Sequence, residues 1–260
     1  MSNEQYSLNG ILRYEWIFGH GFLGYGEPAV TRELISALDW PPGTRVLDVG
    51  SGLGGPDFLM ALEHQARVTG VDLTEATVRL AGERRQEQGI SGVEFIQGDI
   101  QALEWEPASF DVIWSRETLL HLPDKAALFQ KFFDWLSPGG SLVITDYARR
   151  QGPGSETFEA YVRESGYPLL ELDEYAKTIT RAGFRDTEVQ DQSAELIRHL
   201  ENHLHKLEND RDAFCRRFSE EDYEYIKGRW QLKCDCCRQG DMKWGWFLAR
   251  KPGSAFFPES

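Results

Sequence analysis

The chain has 260 residues, of which 41% are hydrophobic and 12% aromatic, so it can bury a full core and is not a disordered protein. Its formal net charge of −14 argues against nucleic acid and anionic membranes as partners, because such a surface repels phosphate groups. No stretch approaches the about 20 apolar residues of a membrane helix and no leader pattern opens the chain, so we expect a soluble, cytoplasmic protein.

The N-terminal part of the chain is rich in aromatic residues and glycine. Residues 5–26 therefore predict a short helix and a loop that pack over another part of the protein. Residues 28–38 have helical spacing, and the Pro41-Pro42-Gly43 sequence ends that helix.

Short β-rich runs then alternate with helical stretches. The predicted strands are residues 45–49, 67–71, 93–97, 110–114 and 141–145, and the predicted helices are residues 57–64, 75–88 and 125–136. Such alternation is typical of an α/β fold with a doubly wound, mostly parallel sheet.

The pattern changes after residue 155. It predicts helices at residues 156–164 and 173–182, a strand at 185–189, one long helix at 193–218, a helix at 220–232 and a closing strand at 242–249. We expect a single domain over residues 1–260. Within it, residues 1–27 form an active-site segment, 40–147 a cofactor-binding core, 148–183 a helical lid, and 184–250 the C-terminal helices and closing strand.

Three of the four cysteines lie close together, at Cys234, Cys236 and Cys237. Their C-x-C-C spacing lacks the paired C-x-x-C units of a structural zinc site, so structural or reactive thiols are favoured and no metal is expected.

A glycine-rich turn follows the first predicted strand, in the sequence D-V-G-S-G-L-G of residues 48–54. Glycine is required where the backbone approaches a ligand closely or adopts a positive φ. Two carboxylates follow the next strands: Asp72, which is suited to binding ribose hydroxyls, and Asp99, which could accept a bond from an adenine amino group. The candidate cofactor-binding residues are Gln5, Asp48, Gly50, Ser51, Gly52, Gly54, Asp72, Leu73, Asp99, Ile100 and Ser115.

These three motifs together resemble the S-adenosylmethionine (SAM) site of class I methyltransferases. The resemblance implies a Rossmann-like fold, SAM as cofactor and S-adenosylhomocysteine (SAH) as product. A nicotinamide-dependent oxidoreductase is the rival interpretation, but it would favour G-x-G-x-x-G, whereas Gly50, Gly52 and Gly54 give G-x-G-x-G.

A histidine follows the fourth predicted strand, in the S-R-E-T-L-L-H-L sequence of residues 115–122. Ligands of doubly wound sheets lie outside the carboxyl ends of the strands, so His121 is expected beside the cofactor. Its imidazole titrates near neutrality and could remove a proton from an acceptor amine. The alternative is a histidine packed in the core.

Several segments resemble the phosphoethanolamine N-methyltransferases over nearly the whole chain. They are residues 5–19, the S-R-x-x-x-L-H-L sequence, I-T-D-Y at 144–147 and K-W-G-W-F at 243–247. The resemblance implies that Tyr6 and His121 form a catalytic dyad, that Gln5 lines the pocket, and that the acceptor phosphate is bound by Tyr147, Tyr161, Tyr167 and Lys233.

Two positions depart from that family. Ser165 stands where the family has a phosphate-binding arginine, with Arg163 two residues earlier, and Glu117 replaces an aspartate that faces the substrate. The N-terminal segment also resembles the methyltransferase domain of ovothiol synthases, which act on a thiolated histidine. The acceptor is therefore a small polar molecule, either a phosphobase or an amino-acid type such as 5-thiohistidine, with betaine-forming amine methylation a third alternative and a non-catalytic SAM-binding module another.

Overall fold

The computed structural model describes residues 7–253, which contain one seven-stranded sheet. The strands are β1 (Arg45–Val49), β2 (Arg67–Asp72), β3 (Val93–Gln97), β4 (Phe110–Arg116), β5 (Leu136–Arg149), β6 (Arg185–Asp191) and β7 (Met242–Arg250). Their order is β3-β2-β1-β4-β5-β7-β6, with β1 to β5 parallel and β7 antiparallel to both of its neighbours. The predicted doubly wound, mostly parallel α/β fold is confirmed.

Ten α-helices occur within residues 7–253. They are α1 (Leu8–Phe18), α2 (Ala29–Ser36), α3 (Gly55–His64), α4 (Glu75–Glu87), α5 (Lys125–Trp135), α6 (Glu156–Ser165), α7 (Leu172–Arg181), α8 (Ser193–Asn209), α9 (Arg211–Arg217) and α10 (Glu220–Arg238). A short 3₁₀ turn, Leu119–His121, follows β4.

The single long helix predicted at residues 193–218 is wrong. Asp210, with φ −101° and ψ 18°, ends α8 and begins α9. Asn209 and Asp210 disfavour a helix interior, because their side chains compete for nearby backbone groups. Phe214 of α9 is buried in the core.

The last helix is longer than predicted and continues to Arg238. Ser219 caps its N-terminus, since its Oγ accepts the N–H of Asp222 at 3.0 Å. The added turns carry Cys234, Cys236 and Cys237, all buried, and burial raises the pKa of Cys237 to about 12 and of Cys236 to about 11. These thiols are packing groups with little thiolate character.

The sheet buries side chains on both faces, alternating along each strand as the pleat requires. In β1, Val46 belongs to a core cluster that includes residues of α1, α2, α8 and α10, whereas Leu47 belongs to a second cluster that includes residues of α5 and α7. Helix α7, within the predicted lid, thus covers the sheet through Tyr175 and Ile179. No helix of residues 7–253 is long and apolar enough to cross a membrane, and this part of the chain holds no group of three potential metal ligands.

The chain changes direction between β1 and β4. After β1 it adds β2 and β3 on one side, then crosses to place β4 on the other side of β1. The loops that leave the carboxyl ends of β1 and β4 therefore diverge and open a crevice, which is where open α/β sheets bind ligands.

Candidate active site

A cavity of about 750 Å³ occupies this crevice. Its volume is within the range of about 300–1,000 Å³ that is usual for small-molecule sites. It runs from the loop after β3, past the glycine-rich turn after β1, to Lys233 on α10. The loop of residues 19–27 covers it, held to the start of α3 because the N–H of Gly55 donates to Gly21 O at 3.0 Å.

The glycine-rich turn presents backbone to the cavity. Gly50, Gly52 and Gly54 have φ angles of +83°, +54° and +81°, which disfavour any residue with a Cβ. A Cβ on Gly50 would also overlap the side chain of Thr118 in the loop after β4. Gly50, Ser51 and Gly52 line the cavity, whereas Gly54 does not and instead begins α3.

Asp72 fastens this turn to the end of β2. Its Oδ2 accepts the N–H of Gly52 at 3.0 Å, and its Oδ1 accepts from Thr74 N and Thr77 Oγ1, both at 2.8 Å. The next residue, Leu73, is 65% exposed, which is unusual for a leucine beside a cavity. A fixed carboxylate beside exposed apolar surface fits a ribose and its neighbouring ring.

Asp99 and Ile100 line the same end of the cavity. The Asp99 carboxylate accepts the N–H of Gln101 at 2.9 Å, and Ile100 is buried. Ser115 lies outside the cavity, because its hydroxyl donates to the carbonyl of Val49 at 2.9 Å and joins β4 to β1. The glycine-rich turn, the Ser51 hydroxyl and these side chains fit the size and polarity of SAM.

Two buried carboxyl groups lie behind the turn. Asp48 lines the cavity and shares a hydrogen bond with Asp57 of α3. Burial raises the pKa of Asp48 well above its usual value and that of Asp57 to about 7. Repulsion between two adjacent buried carboxylates, together with their burial, favours a protonated form of the pair.

The opposite end of the cavity contains an ammonium group among tyrosines. Lys233 Nζ lies 3.1 Å from Tyr25 Oη and 3.2 Å from Tyr147 Oη, and the two hydroxyls are 2.9 Å apart. Burial, followed by the charge of Arg229, lowers the pKa of Lys233 to about 7. Burial also raises the pKa values of Tyr25 and Tyr147, so both remain hydroxyl donors.

His121 and Tyr167 lie on the wall between the two ends. Their rings meet edge to face at 5.2 Å, and Tyr161 packs against Tyr167 at 6.0 Å without lining the cavity itself. Burial, followed by the charges of Lys125 and Lys233, lowers the pKa of His121 to about 4.

Glu117 is held in a strained conformation where β4 ends. Its φ of 45° is rare outside glycine, and such strain is concentrated at functional sites. Its Oε1 accepts from Thr145 Oγ1 at 2.6 Å and from Trp244 Nε1 at 2.8 Å, which fixes the carboxylate at the cavity wall.

Several residues of this wall were not predicted from the sequence. Arg116 forms an ion pair with Glu27 and donates to the carbonyl of Tyr25 at 3.1 Å, so it ties the 19–27 loop to β4. Tyr25 shows only as part of an aromatic-rich segment, and no local pattern indicates that it meets Lys233. Gln5 and Tyr6 lie outside the described residues.

Comparison with known proteins points to one kind of enzyme. A family described as "Methyltransferase domain" matches residues 41–212. A phosphoethanolamine N-methyltransferase of Plasmodium falciparum is 32% identical over 96% of this chain and 95% of its own length. Phosphoethanolamine N-methyltransferase 1 of Triticum aestivum is 42% identical over 96% of this chain and 50% of its own length, so the chain spans about half of the plant relatives it matches.

The fold has a solved counterpart as well. The structure of Haemonchus contortus phosphoethanolamine N-methyltransferase 2, in complex with phosphomonomethylethanolamine and S-adenosylhomocysteine, superposes with a TM-score of 0.92 at 32% identity. The match covers 95% of this chain and 59% of that chain.

Proposed function

The chain belongs to the class I SAM-dependent methyltransferases, in the family that includes the phosphoethanolamine N-methyltransferases, and from this premise we propose that it N-methylates a phosphobase of the phosphoethanolamine type. The relatives described above are methyltransferases, so the nicotinamide-dependent alternative is dropped. The plant relatives are about twice as long as this chain, so the proposed activity is that of this chain by itself.

The observation that carries the proposal is the group of donors at the far end of the cavity. The Lys233 ammonium and the hydroxyls of Tyr25, Tyr147 and Tyr167 are all buried there. Charged and hydroxyl donors in a buried pocket are suited to the oxygens of a phosphate, and bonds to a charged acceptor are stronger than neutral ones.

The other end of the cavity is assigned to the cofactor. Gly50, Ser51 and Gly52 would contact the amino-acid part of SAM, Asp72 the ribose, and Asp99 with Ile100 the adenine. When bound there, SAM supplies a methyl group that is already activated, since its sulfonium makes the thioether a good leaving group.

The protein must then provide a neutral, oriented amine. Glu117 is fixed at the cavity wall and is suited to holding the ammonium end of the acceptor. His121 is neutral at physiological pH because its pKa is lowered, and a neutral imidazole accepts a proton. A bound phosphate dianion would offset the charge of Lys233 and so raise the basicity of His121. The resemblance assigns to Tyr6 the role of closing the site against His121.

The direct test is release of SAH from SAM with phosphoethanolamine and 5-thiohistidine supplied in parallel reactions. We expect turnover of phosphoethanolamine, with methylated phosphobase detected by mass spectrometry. Turnover of 5-thiohistidine alone would overturn the phosphobase proposal, and absence of turnover with both would overturn both acceptors.

One feature favours an amino-acid-type acceptor as the second candidate. The Tyr25 hydroxyl bonds both Lys233 and Tyr147, and residue 165 is a serine, so a smaller anionic group such as a carboxylate would also find donors here. The parallel assay separates the two acceptors.

A further inference from the structure

Arg229 lies one helical turn before Lys233 on α10 and is half-buried. Its guanidinium carbon is 5.4 Å from the ring centre of Tyr161 and 5.8 Å from that of Tyr225. Its Nη2 donates to Ser165 Oγ at 3.3 Å. The guanidinium therefore packs behind the cavity wall, against Tyr161, whose ring in turn packs against Tyr167 of the wall.

The contact with Ser165 brings a positive charge to a position where the family that the sequence resembles has a phosphate-binding arginine. Arg163, two residues earlier, is the arginine nearest to Ser165 along the sequence. Arg163 is exposed on α6, whereas Arg229 reaches Ser165 from a different helix. A positive charge is thus present beside residue 165, although it comes from α10.

The charges around Arg229 are unbalanced. Within residues 7–253, no carboxylate oxygen lies within 4.0 Å of its guanidinium, in contrast to most surface arginines of this protein. Its nearest charged neighbour on the same helix face is Lys233, because residues four apart on a helix lie on one side. Two cations placed together in a partly buried site repel each other, and an anion of two charges would relieve that repulsion.

We infer that Arg229 is a specificity-determining residue, whose guanidinium lies behind the cavity wall and adds its positive charge to that of the Lys233 ammonium, which favours the dianionic phosphate of the acceptor. The inference rests on the proposed phosphobase function. Arg229 on α10 thus supplies beside Ser165 the positive charge that an arginine at position 165 of α6 would supply.

The test is steady-state kinetics on Arg229→Ala, Arg229→Lys and the double variant Arg229→Ala/Ser165→Arg, with Arg163→Ala as the matched control. Loss of this nearby positive charge should raise the KM for phosphoethanolamine about 10-fold in Arg229→Ala, with kcat changed little. Arg229→Lys should restore part of the loss. The double variant should restore most of it, since the new guanidinium starts beside the one removed.

Arg163→Ala should leave the KM within about twofold of wild type, because its side chain is exposed. A folded Arg229→Ala enzyme with an unchanged KM would overturn the inference. The inference would also be overturned if the KM of the double variant for phosphoethanolamine were no lower than that of Arg229→Ala. Such a result would mean that Arg229 has only a structural role, which an arginine at position 165 does not restore. Circular dichroism and SAH affinity establish that each variant is folded.

A second measurement separates this inference from the proposed function. Inorganic phosphate is titrated into the SAH-bound protein, with acetate as the carboxylate probe, and the thermal shift is recorded. A shift with phosphate that disappears in Arg229→Ala supports the anion site even if phosphoethanolamine is not a substrate. Equal shifts in wild type and Arg229→Ala, or a shift with acetate only, would overturn it.

Discussion

The imidazole of His121 is neutral at physiological pH, because burial and the ammonium groups of Lys125 and Lys233 lower its pKa to about 4. Its position between the assigned cofactor end and the tyrosine-lined end suits it to accept a proton from an amine. The low pKa also means that its protonation would affect activity only in acid.

Replacement of His121 by alanine should therefore lower kcat by about 10²- to 10⁴-fold, the usual contribution of a general base. Affinity for SAH, measured by calorimetry, should be unchanged. His205→Ala is the control, since that histidine is exposed on α8. Full activity of His121→Ala between pH 6 and 9 would remove the base role.

The charge of Lys233 should affect activity on the alkaline side, whereas protonation of His121 affects it only in acid. Burial and the neighbouring Arg229 lower its pKa to about 7, so the free enzyme loses this positive charge as the pH rises through neutrality. A dianion binds the protonated form, and its binding is therefore weakened on the alkaline side.

The kcat/KM for a phosphobase should consequently carry an alkaline limb near pH 7 that belongs to Lys233. Lys233→Arg keeps its charge at every accessible pH, so the limb should disappear, even though the overall value falls from altered geometry. The measurement is the ratio of wild-type to variant kcat/KM from pH 6 to 9. A ratio that stays constant would contradict the assignment.

The loop of residues 19–27 is the element that closes the cavity. Arg116 binds Glu27, and the two side chains are only 7% and 1% exposed, so the pair is buried. The loop also runs close to this pair at Gly24, where an added Cβ would lie 3.4 Å from a terminal nitrogen of the same guanidinium.

Glu27→Gln should destabilise the protein by about 3–5 kcal/mol, because it removes one partner of a buried ion pair. Urea denaturation measures the loss, and faster amide exchange confined to residues 19–28 would identify the loop as the place where it occurs. Glu63→Gln is the control, since its exposed pair with Arg32 contributes about 0–1 kcal/mol. Equal losses in the two variants would contradict the closing role.

The elements were mostly predictable from the sequence. β1 and β3 have the predicted bounds, and α3, α4 and α5 begin or end within two residues of theirs. These elements have regular hydrophobic periods and clear glycine, proline or capping signals. The break at Asp210 has a local signal in Asn209 and Asp210, which the predicted helix of residues 193–218 ran through. The extension of α10 has none, because it accompanies the tertiary packing of Cys237 in the core.

The same distinction separates the two ends of the cavity. The cofactor end follows single strands, so Gly50, Asp72 and Asp99 are visible as local motifs. The acceptor end joins Tyr25, Tyr147 and Lys233 from an N-terminal loop, a central strand and the last helix. The assembly of the acceptor end, like the contact of Arg229 with Ser165, joins residues that are far apart along the chain. No local sequence pattern therefore reveals it.

At the scale of the whole molecule, stability should depend on pH through two buried acids. Burial raises the pKa of both Asp57 and Asp146 from an ordinary value of 3.8 to about 7. Between pH values of about 4 and about 7, the folded state therefore binds more protons at Asp57 and Asp146 than the unfolded state does. The free energy of unfolding falls wherever the folded state binds more protons, so it decreases as the pH rises from about 4 to about 7.

Urea denaturation at pH 4.5, 5.5, 6.5 and 7.5 should show this decrease, with a slope of at most about 1.4 kcal/mol per pH unit for each group. Asp57→Asn and Asp146→Asn should each flatten the profile, whereas Asn at exposed Asp39 should not. If the free energy of unfolding of the Asp57→Asn/Asp146→Asn double variant varied with pH in parallel with that of wild type, other groups would set the pH dependence.

The place of β7 in the sheet has a consequence for synthesis of the chain. β7 follows β6 along the sequence, yet it lies between β5 and β6. A nascent chain emerging from the ribosome can pair β1 to β5 early, but the edge of β5 then stays open until β7 arrives. Open strand edges invite pairing with other chains. The growing protein would thus hold a complete nucleoside pocket beside an unpaired strand edge. Both the acceptor pocket and protection from aggregation would be completed only when α10 and β7 have been translated.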